Sequence, residues 1–77
     1  MDRYLLRYFL AVAELGSFSR AAAKVNVTQP TLSVGIAKLE EQVGARLFER
    51  TTRRVSLTPA GSRFLPRARR IAARQAS

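Results

Sequence analysis

The sequence predicts a mainly α domain, in which a three-helix core is followed by a two-stranded wing and a long linker helix. Three observations predict this class. Apolar residues recur at helical spacing in four segments, capping residues separate the first three, and a short β-like stretch precedes the fourth. With 77 residues, of which 47% are hydrophobic, the chain has room for one small core.

Two short helices are predicted at the start of the chain. The first has an apolar stripe at spacing i, i+3, i+4 and i+7, formed by Leu6, Phe9, Leu10 and Ala13. Gly16 is expected to end this helix in the left-handed conformation, and Ser17 to cap the next one. The second helix, at about residues 18–25, repeats the spacing at Phe18, Ala21, Ala22 and Val25.

The third helix is predicted at about residues 28–43, after a three-residue turn formed by Asn26, Val27 and Thr28. Thr28 can cap it, and Pro30 suits its first turn because a missing N–H costs nothing there. Gly44 closes the helix, whose buried stripe is predicted at Leu32, Ile36, Leu39 and Val43. Two helices joined by so short a turn form a helix-turn-helix.

A small hairpin, or wing, is predicted after the third helix. The apolar runs at residues 47–48 and 55–57 flank the polar stretch 49–54. Thr58 and Pro59 then supply the cap and first residue of a fourth helix. Its apolar stripe is formed by Ala60, Phe64, Ala68, Ile71 and Ala72. This order of parts is that of a winged helix-turn-helix.

Gly35 and Pro66 lie inside predicted helices, where each is unfavourable. Gly35 costs about 1 kcal/mol relative to Ala. A neighbouring helix or a DNA backbone could approach closely there, or the glycine is tolerated without a purpose. Pro66 removes a backbone donor, so a kink or a local loss of hydrogen bonding is expected.

The composition excludes most enzyme chemistry. The chain has no Cys and no His, so it lacks disulfides, catalytic thiolates and the commonest metal ligand and proton shuttle. We assign no catalytic residue, metal site or cofactor, and expect a binding module rather than an enzyme. Arg7 and Glu14 interrupt the most apolar stretch, so no membrane span or signal peptide is predicted, and the expected compartment is the cytoplasm.

Positive charge is concentrated in the second half of the chain. The formal net charge is +9, of which residues 46–77 carry nine arginines against Glu49 alone. Arginine suits bidentate contact with phosphate, so a polyanion is the expected partner. A solvated basic loop is the alternative for the wing. The wing candidates for backbone or minor-groove contact are Arg50, Thr51, Thr52, Arg53 and Arg54.

The third helix carries the candidate base-reading residues. Helical geometry turns Val34 away from the buried Ile36 and places Ser33 at the boundary. Gln can bond adenine, hydroxyls can serve bases or phosphates, and Val can contact a thymine methyl. Glu40 and Glu41 would repel phosphates, so the first half of the helix is expected in the major groove. The candidates are Thr28, Gln29, Pro30, Thr31, Ser33, Val34 and Lys38.

Six ordered motifs cover almost the whole chain, from about residue 3 to residue 72. They are LRYF at 6–9, GSFSRAA at 16–22, VTQPTLS at 27–33, KLEE at 38–41, GARLFER at 44–50 and LTPAG at 57–61. Together they resemble the N-terminal domain of LysR-type bacterial transcriptional regulators. The resemblance implies major-groove contact at the positions of Gln29, Pro30, Thr31, Ser33 and Val34. Many members carry Arg at the position of Val34, so base preference at that step is left open.

The resemblance also implies an arrangement of domains. Residues 1–58 would form the winged helix-turn-helix domain, and 59–77 a linker and dimerisation helix. Because the last residues carry no helix stop signal beyond Ser77, the sequence is expected to continue into an effector-binding domain. A small-molecule effector is expected only there. The dimer contact is assigned to Phe64, Ala68, Ile71 and Ala72.

The predicted function is sequence-specific binding of double-stranded DNA by a homodimer, on an imperfect palindromic operator in the bacterial cytoplasm and nucleoid. Tetramers of the full-length protein are left open. A basic membrane-surface module is disfavoured because Ala dominates the apolar face of the last helix. An RNA-binding helical module is disfavoured because few exposed aromatic residues are predicted for stacking on bases.

Overall fold

The computed structural model describes residues 2–51 and 54–76. Its elements follow the predicted order, and the fold is a winged helix-turn-helix that ends in a long helix. The helices are α1 (Arg3–Leu15), α2 (Phe18–Lys24), α3 (Gln29–Val43) and α4 (Pro59–Ala76), and the wing strands are β1 (Phe48–Arg50) and β2 (Val55–Leu57). No helix within the described residues is long and apolar enough to cross a membrane.

The predicted caps set the ends of the first three helices. Gly16 ends α1 with φ 63°, and Gly44 ends α3 with φ 83°. The Ser17 hydroxyl accepts a hydrogen bond from the Arg20 N–H at 3.1 Å, which caps α2. These local signals depend on only a few neighbouring residues, and so they can be found in the sequence.

The turn between α2 and α3 also follows the prediction. Asn26 adopts φ 62°, which a short polar side chain tolerates better than a branched one. The Thr28 hydroxyl accepts a hydrogen bond from the Thr31 N–H at 3.3 Å and so caps α3. Pro30 occupies the first turn of α3. This short turn therefore fixes the orientation of α3 relative to α2.

Helix α1 lies at the centre of the core, because it packs against α2, α3 and α4. The Phe9 ring contacts the Phe48 ring of β1 at 5.3 Å and the Phe64 ring of α4 at 5.1 Å between centroids. Phe18 of α2 meets Phe48 at 6.1 Å. Four aromatic rings thus join the wing, the first two helices and the last helix.

Helix α1 buries more residues than its predicted stripe, which itself packs against the core. Leu6 and Phe9 are fully buried, but Leu10 and Ala13 are only half-buried. The core instead takes Leu5, Tyr8, Ala11 and Val12 in addition. Because α1 has helices on three sides, its buried surface is wider than the single stripe of a helix with one packed face.

Helix α4 continues through Pro66 to Ala76 without interruption, and Pro66 is exposed. Phe64 and Ala68 lie in the core, with exposed fractions of 7% and 0%. Within the single chain these two residues have little surface left for a partner, and their assignment to a dimer contact stays a prediction. Helix α1 covers this side of α4, because it packs along α4 to its end. There, an Arg3 guanidinium N–H donates to the Gln75 carbonyl at 3.0 Å.

The wing is antiparallel, with Phe48 opposite Leu57 and Arg50 opposite Val55. Its first strand begins one residue later than the predicted apolar run and includes Glu49 and Arg50, which were expected in the polar stretch. Leu47 precedes the strand and is fully buried. Strand pairing therefore extends into the charged part of the wing.

Candidate nucleic-acid interface

The face of helix α3 that the sequence predicts to be exposed is exposed in the structure. The groove face, as we call it, consists of Gln29, Pro30, Thr31, Val34 and Lys38, all of which are exposed. Val34 is 69% exposed, although it is apolar. Ser33 is half-buried at the edge of this face, whereas the opposite side of α3 is buried against the core through Leu32, Ile36 and Leu39.

The two threonines at the start of α3 have different roles. The Thr28 hydroxyl donates to the Thr31 hydroxyl oxygen at 2.9 Å and accepts from the Thr31 N–H. Its donor and one acceptor position are thus used within the helix. The Thr31 hydroxyl accepts from Thr28, which leaves its own proton for an acceptor outside the protein. Thr31 is therefore the better placed of the two to donate to a base or a phosphate.

Gly35 allows α1 to approach α3 closely. A Cβ atom at this position would lie 2.5 Å and 2.7 Å from two ring carbons of Tyr8. Of the alternatives that the sequence leaves open, the structure selects the neighbouring helix. The absence of a side chain at Gly35 therefore lets the Tyr8 ring pack directly on the backbone of α3.

Glu40 connects the end of α3 to the wing. Its carboxylate oxygen Oε2 accepts hydrogen bonds from the Leu47 N–H at 2.7 Å and the Phe48 N–H at 3.3 Å. From the sequence this carboxylate is expected only to repel phosphate, and its structural role was not predicted. An acidic residue eight positions before a strand carries no local signal of such a contact.

Thr58 connects the end of the wing to its beginning. Its backbone N–H donates to the Leu47 carbonyl at 3.0 Å, and its hydroxyl donates to the Arg46 carbonyl. The same hydroxyl accepts from the Gly61 N–H at 2.9 Å and caps α4. A Cβ at Gly61 would overlap the Leu47 carbonyl oxygen, so the first turn of α4 packs directly on the chain entering the wing.

Arg50 is positioned by an aromatic ring rather than by an ion pair. Its guanidinium carbon lies 3.7 Å from the centroid of the Phe18 ring, a cation–π contact. The contact joins β1 to the first residue of α2. Arg50 was predicted to contact DNA, and nothing in the sequence indicates this partner, which is 32 positions away along the chain.

Two hydrogen bonds between Thr51 and Arg54 join the two sides of the wing at its far end. The Thr51 N–H donates to the Arg54 carbonyl at 2.9 Å, and the Arg54 N–H donates to the Thr51 hydroxyl at 3.1 Å. Both side chains are exposed. The other two wing candidates, Thr52 and Arg53, lie outside the described residues.

A cleft of about 310 Å³ joins the groove face to the wing. Gln29 lines it on the side of α3, and Arg50 and Arg54 line it on the side of the wing. None of the described residues that line the cleft is acidic; the others are Gly16, Ser17, Phe18, Ser19, Thr51 and Val55. Gln29, a candidate base-reading residue, therefore meets two candidate phosphate-binding arginines at one cationic surface.

The family model for bacterial regulatory helix-turn-helix proteins of the lysR family matches residues 4–62. The chain belongs to this family. It is 58% identical over 66 residues to an uncharacterized HTH-type transcriptional regulator, YnfL, of Escherichia coli, covering 86% of this chain and 22% of that protein. It is 52% identical over 73 residues to the HTH-type transcriptional regulator TfdT of Cupriavidus pinatubonensis, covering 95% and 32%.

Solved structures of the family share the fold. A crystal structure of the CbnR DNA-binding domain in complex with DNA matches with a TM-score of 0.93 and 41% identity, over 99% of this chain and 87% of that one. The complex of the BenM DNA-binding domain with benA site 1 DNA gives 0.89 and 43%, over 96% and 83%. The chain thus spans most of these isolated domains but less than a third of the two regulators above. These matches support neither a membrane-surface module nor an RNA-binding module.

Proposed function

We propose that this chain is the DNA-binding domain of a LysR-type transcriptional regulator, and that it binds double-stranded DNA in a sequence-specific manner. The observation that carries the proposal is the cleft that joins Gln29 of α3 to Arg50 and Arg54 of the wing without an intervening acidic group. A duplex presents base edges and phosphates side by side, and this surface offers donors for both.

The base-reading role falls to the first half of α3. Gln29 carries an amide that can donate to and accept from one adenine edge. Thr31 offers a free hydroxyl proton, and Ser33 a hydroxyl at the edge of the groove face. Val34 offers an apolar surface to a thymine methyl, and its exposure is the property such a contact needs. Pro30 supports these contacts by shaping the first turn, and Thr28 by capping it.

The wing supplies phosphate contacts. The guanidinium of Arg54, with that of Arg53 beside it in the sequence, can neutralise backbone phosphates or enter a narrow minor groove. Thr51 and Thr52 can add hydroxyl contacts. Arg50 lies closer to α2, and its stacking on Phe18 leaves the edges of the guanidinium as donors toward the cleft.

Dimerisation is assigned to the second half of α4. Of the four residues assigned to the dimer contact, Ile71 and Ala72 are half-buried and keep surface for a partner, whereas Phe64 and Ala68 keep little. A twofold dimer presents two copies of α3, so its site is an imperfect palindrome. In this proposal residues 59–77 continue to an effector-binding domain, the regulator acts in the cytoplasm, and the chain itself performs no enzymatic reaction.

Selection of bound sequences from a random duplex pool tests the proposal. We expect enrichment of an imperfect palindrome whose half-sites are about one helical turn, or a multiple of it, apart. Random duplex RNA and anionic vesicles serve as competitors. An unenriched pool, or equal competition by either of these polyanions, would show that the chain binds charge rather than sequence.

A further inference from the structure

Tyr4 is a large side chain that no assigned role explains. It is 40% exposed, and within the described residues only Val34 is another exposed large hydrophobic residue. Val34 belongs to the groove face, whereas Tyr4 lies in the first turn of α1 and outside the helix-turn-helix and the wing. An exposed tyrosine has an apolar ring and a polar hydroxyl, a combination that is frequent at binding surfaces.

The Tyr4 ring packs on the ring of Tyr8. The two rings meet edge to face, with centroids 5.4 Å apart and an interplanar angle of 76°. Tyr8 in turn packs where Gly35 leaves room on α3. A glycine of the recognition helix thereby sets the position of an aromatic pair on α1, and this pair brings the Tyr4 hydroxyl next to α3.

The Tyr4 hydroxyl lies beside the far end of the groove face. The Lys38 ammonium donates to the Tyr4 oxygen at 3.4 Å. Lys38 shares the exposed side of α3 with Thr31 and Val34. It follows Thr31 by seven residues, which corresponds to about 10 Å along the helix axis. The major groove is about 12 Å wide, so when Thr31 faces base edges, Lys38 reaches the edge of the groove.

We propose that Tyr4 and Lys38 together bind one backbone phosphate of duplex DNA beside the groove face. Because Lys38 donates to the Tyr4 oxygen, the Tyr4 hydroxyl proton is directed elsewhere, and the ammonium retains two further N–H donors. The two groups are close enough to donate to the oxygens of the same phosphate. A charge-assisted contact of this kind fixes the orientation of α3 in the groove.

The proposal rests on the proposed function and adds α1 to the DNA interface. The pair has no carboxylate partner in the contacts that the structure describes for Tyr4 and Lys38. Arg3, next to Tyr4 in the sequence, donates to the Gln75 carbonyl. The wing and this pair would then contact the DNA backbone at two separate places.

Two single variants and their combination test the pair on the selected duplex and on random duplex. Tyr4→Phe keeps the ring and removes only the hydroxyl, so we expect about fivefold weaker binding to both duplexes and no change in salt dependence. Lys38→Gln removes a cation, so the slope of log K against log salt becomes shallower by about one unit. The double variant loses less than the product of the two single effects, because both groups bind the same phosphate.

Lys24→Gln is the matched control, since Lys24 is also exposed and its ammonium pairs with Glu14 at 3.0 Å on the surface. We expect a smaller change in slope than for Lys38→Gln. A methylphosphonate placed at successive backbone positions of the duplex should abolish the effects of Tyr4→Phe and Lys38→Gln at one common position. Thermal unfolding of Tyr4→Phe should match the wild type, which separates loss of binding from loss of fold.

Failure of the pair and failure of the proposed function give different results. If the wild type selects a duplex site, but Tyr4→Phe and Lys38→Gln bind it unchanged, only the pair is wrong. Multiplicative losses, or two different sensitive phosphates, would also overturn the shared contact. If the wild type selects no duplex site, the proposed function fails and the pair fails with it.

Discussion

The recognition helix α3 and the wing carry the two halves of the proposed interface, yet they are positioned by different interactions. Helix α3 is anchored by the fully buried side chains of Leu32, Ile36 and Leu39. The wing has strands of three residues, and within them only Phe48 is buried. Besides the Phe48 ring, which packs on Phe9 and Phe18, its position depends on directional polar contacts, among them those of Glu40 and Thr58.

This difference matters for function. An apolar anchor of three side chains stabilises a helix by several kcal/mol, whereas a single hydrogen bond contributes about 1 kcal/mol. The base-reading element is therefore anchored by more buried side chains than the wing, whose placement depends more on single polar contacts. Base contacts require accurate placement, while phosphate contacts tolerate a flexible arginine side chain.

Removal of the wing charges is the change with the largest expected effect on DNA binding. The double variant Arg53→Ala with Arg54→Ala should weaken binding to every sequence and make the slope of log K against log salt shallower by up to about two units. A salt titration measures this. The matched control is Arg69→Ala with Arg70→Ala, which removes two exposed cations from α4. Equal slopes for the two double variants would mean that the wing makes no particular contact with DNA.

Removal of the Glu40 carboxylate tests how the wing is held. Glu40→Ala leaves the Leu47 and Phe48 N–H groups without this acceptor, so we expect the free energy of unfolding to fall by about 1–3 kcal/mol. Urea denaturation measures it. Glu41→Ala, an exposed neighbour on the same helix, should change stability by less than about 0.5 kcal/mol. Similar values for the two variants would contradict the structural role of Glu40.

The same contrast explains what the sequence can predict. The ends and faces of α3 follow from a capping threonine, a closing glycine and an apolar period, all of which are local. Val34 was accordingly predicted outward and Ile36 inward, as the structure has them. The contact of Glu40 with the wing depends on how two segments meet in space, and no local pattern indicates it.

Helix α4 shows what an apolar pattern cannot predict. Its apolar stripe was predicted correctly as a helical face, but Phe64 and Ala68 were assigned to a partner chain and lie in the core. A stripe indicates that a surface is covered and does not indicate by what. The packing of Tyr8 was missed for the same reason. Only the structure shows that α1 approaches α3 closely at Gly35, where the Tyr8 ring takes the space of a side chain.

The central claim is that the first half of α3 reads base sequence, and Gln29→Ala tests it most directly. Competition of the selected duplex against random duplex should show about 1–3 kcal/mol lower affinity for the selected site and nearly unchanged affinity for the random one. Gln42→Ala, an exposed glutamine at the other end of α3, is the matched control and should leave both affinities unchanged. An equal loss on selected and random duplex for Gln29→Ala would contradict the claim, because Gln29 would then only position the protein on the backbone.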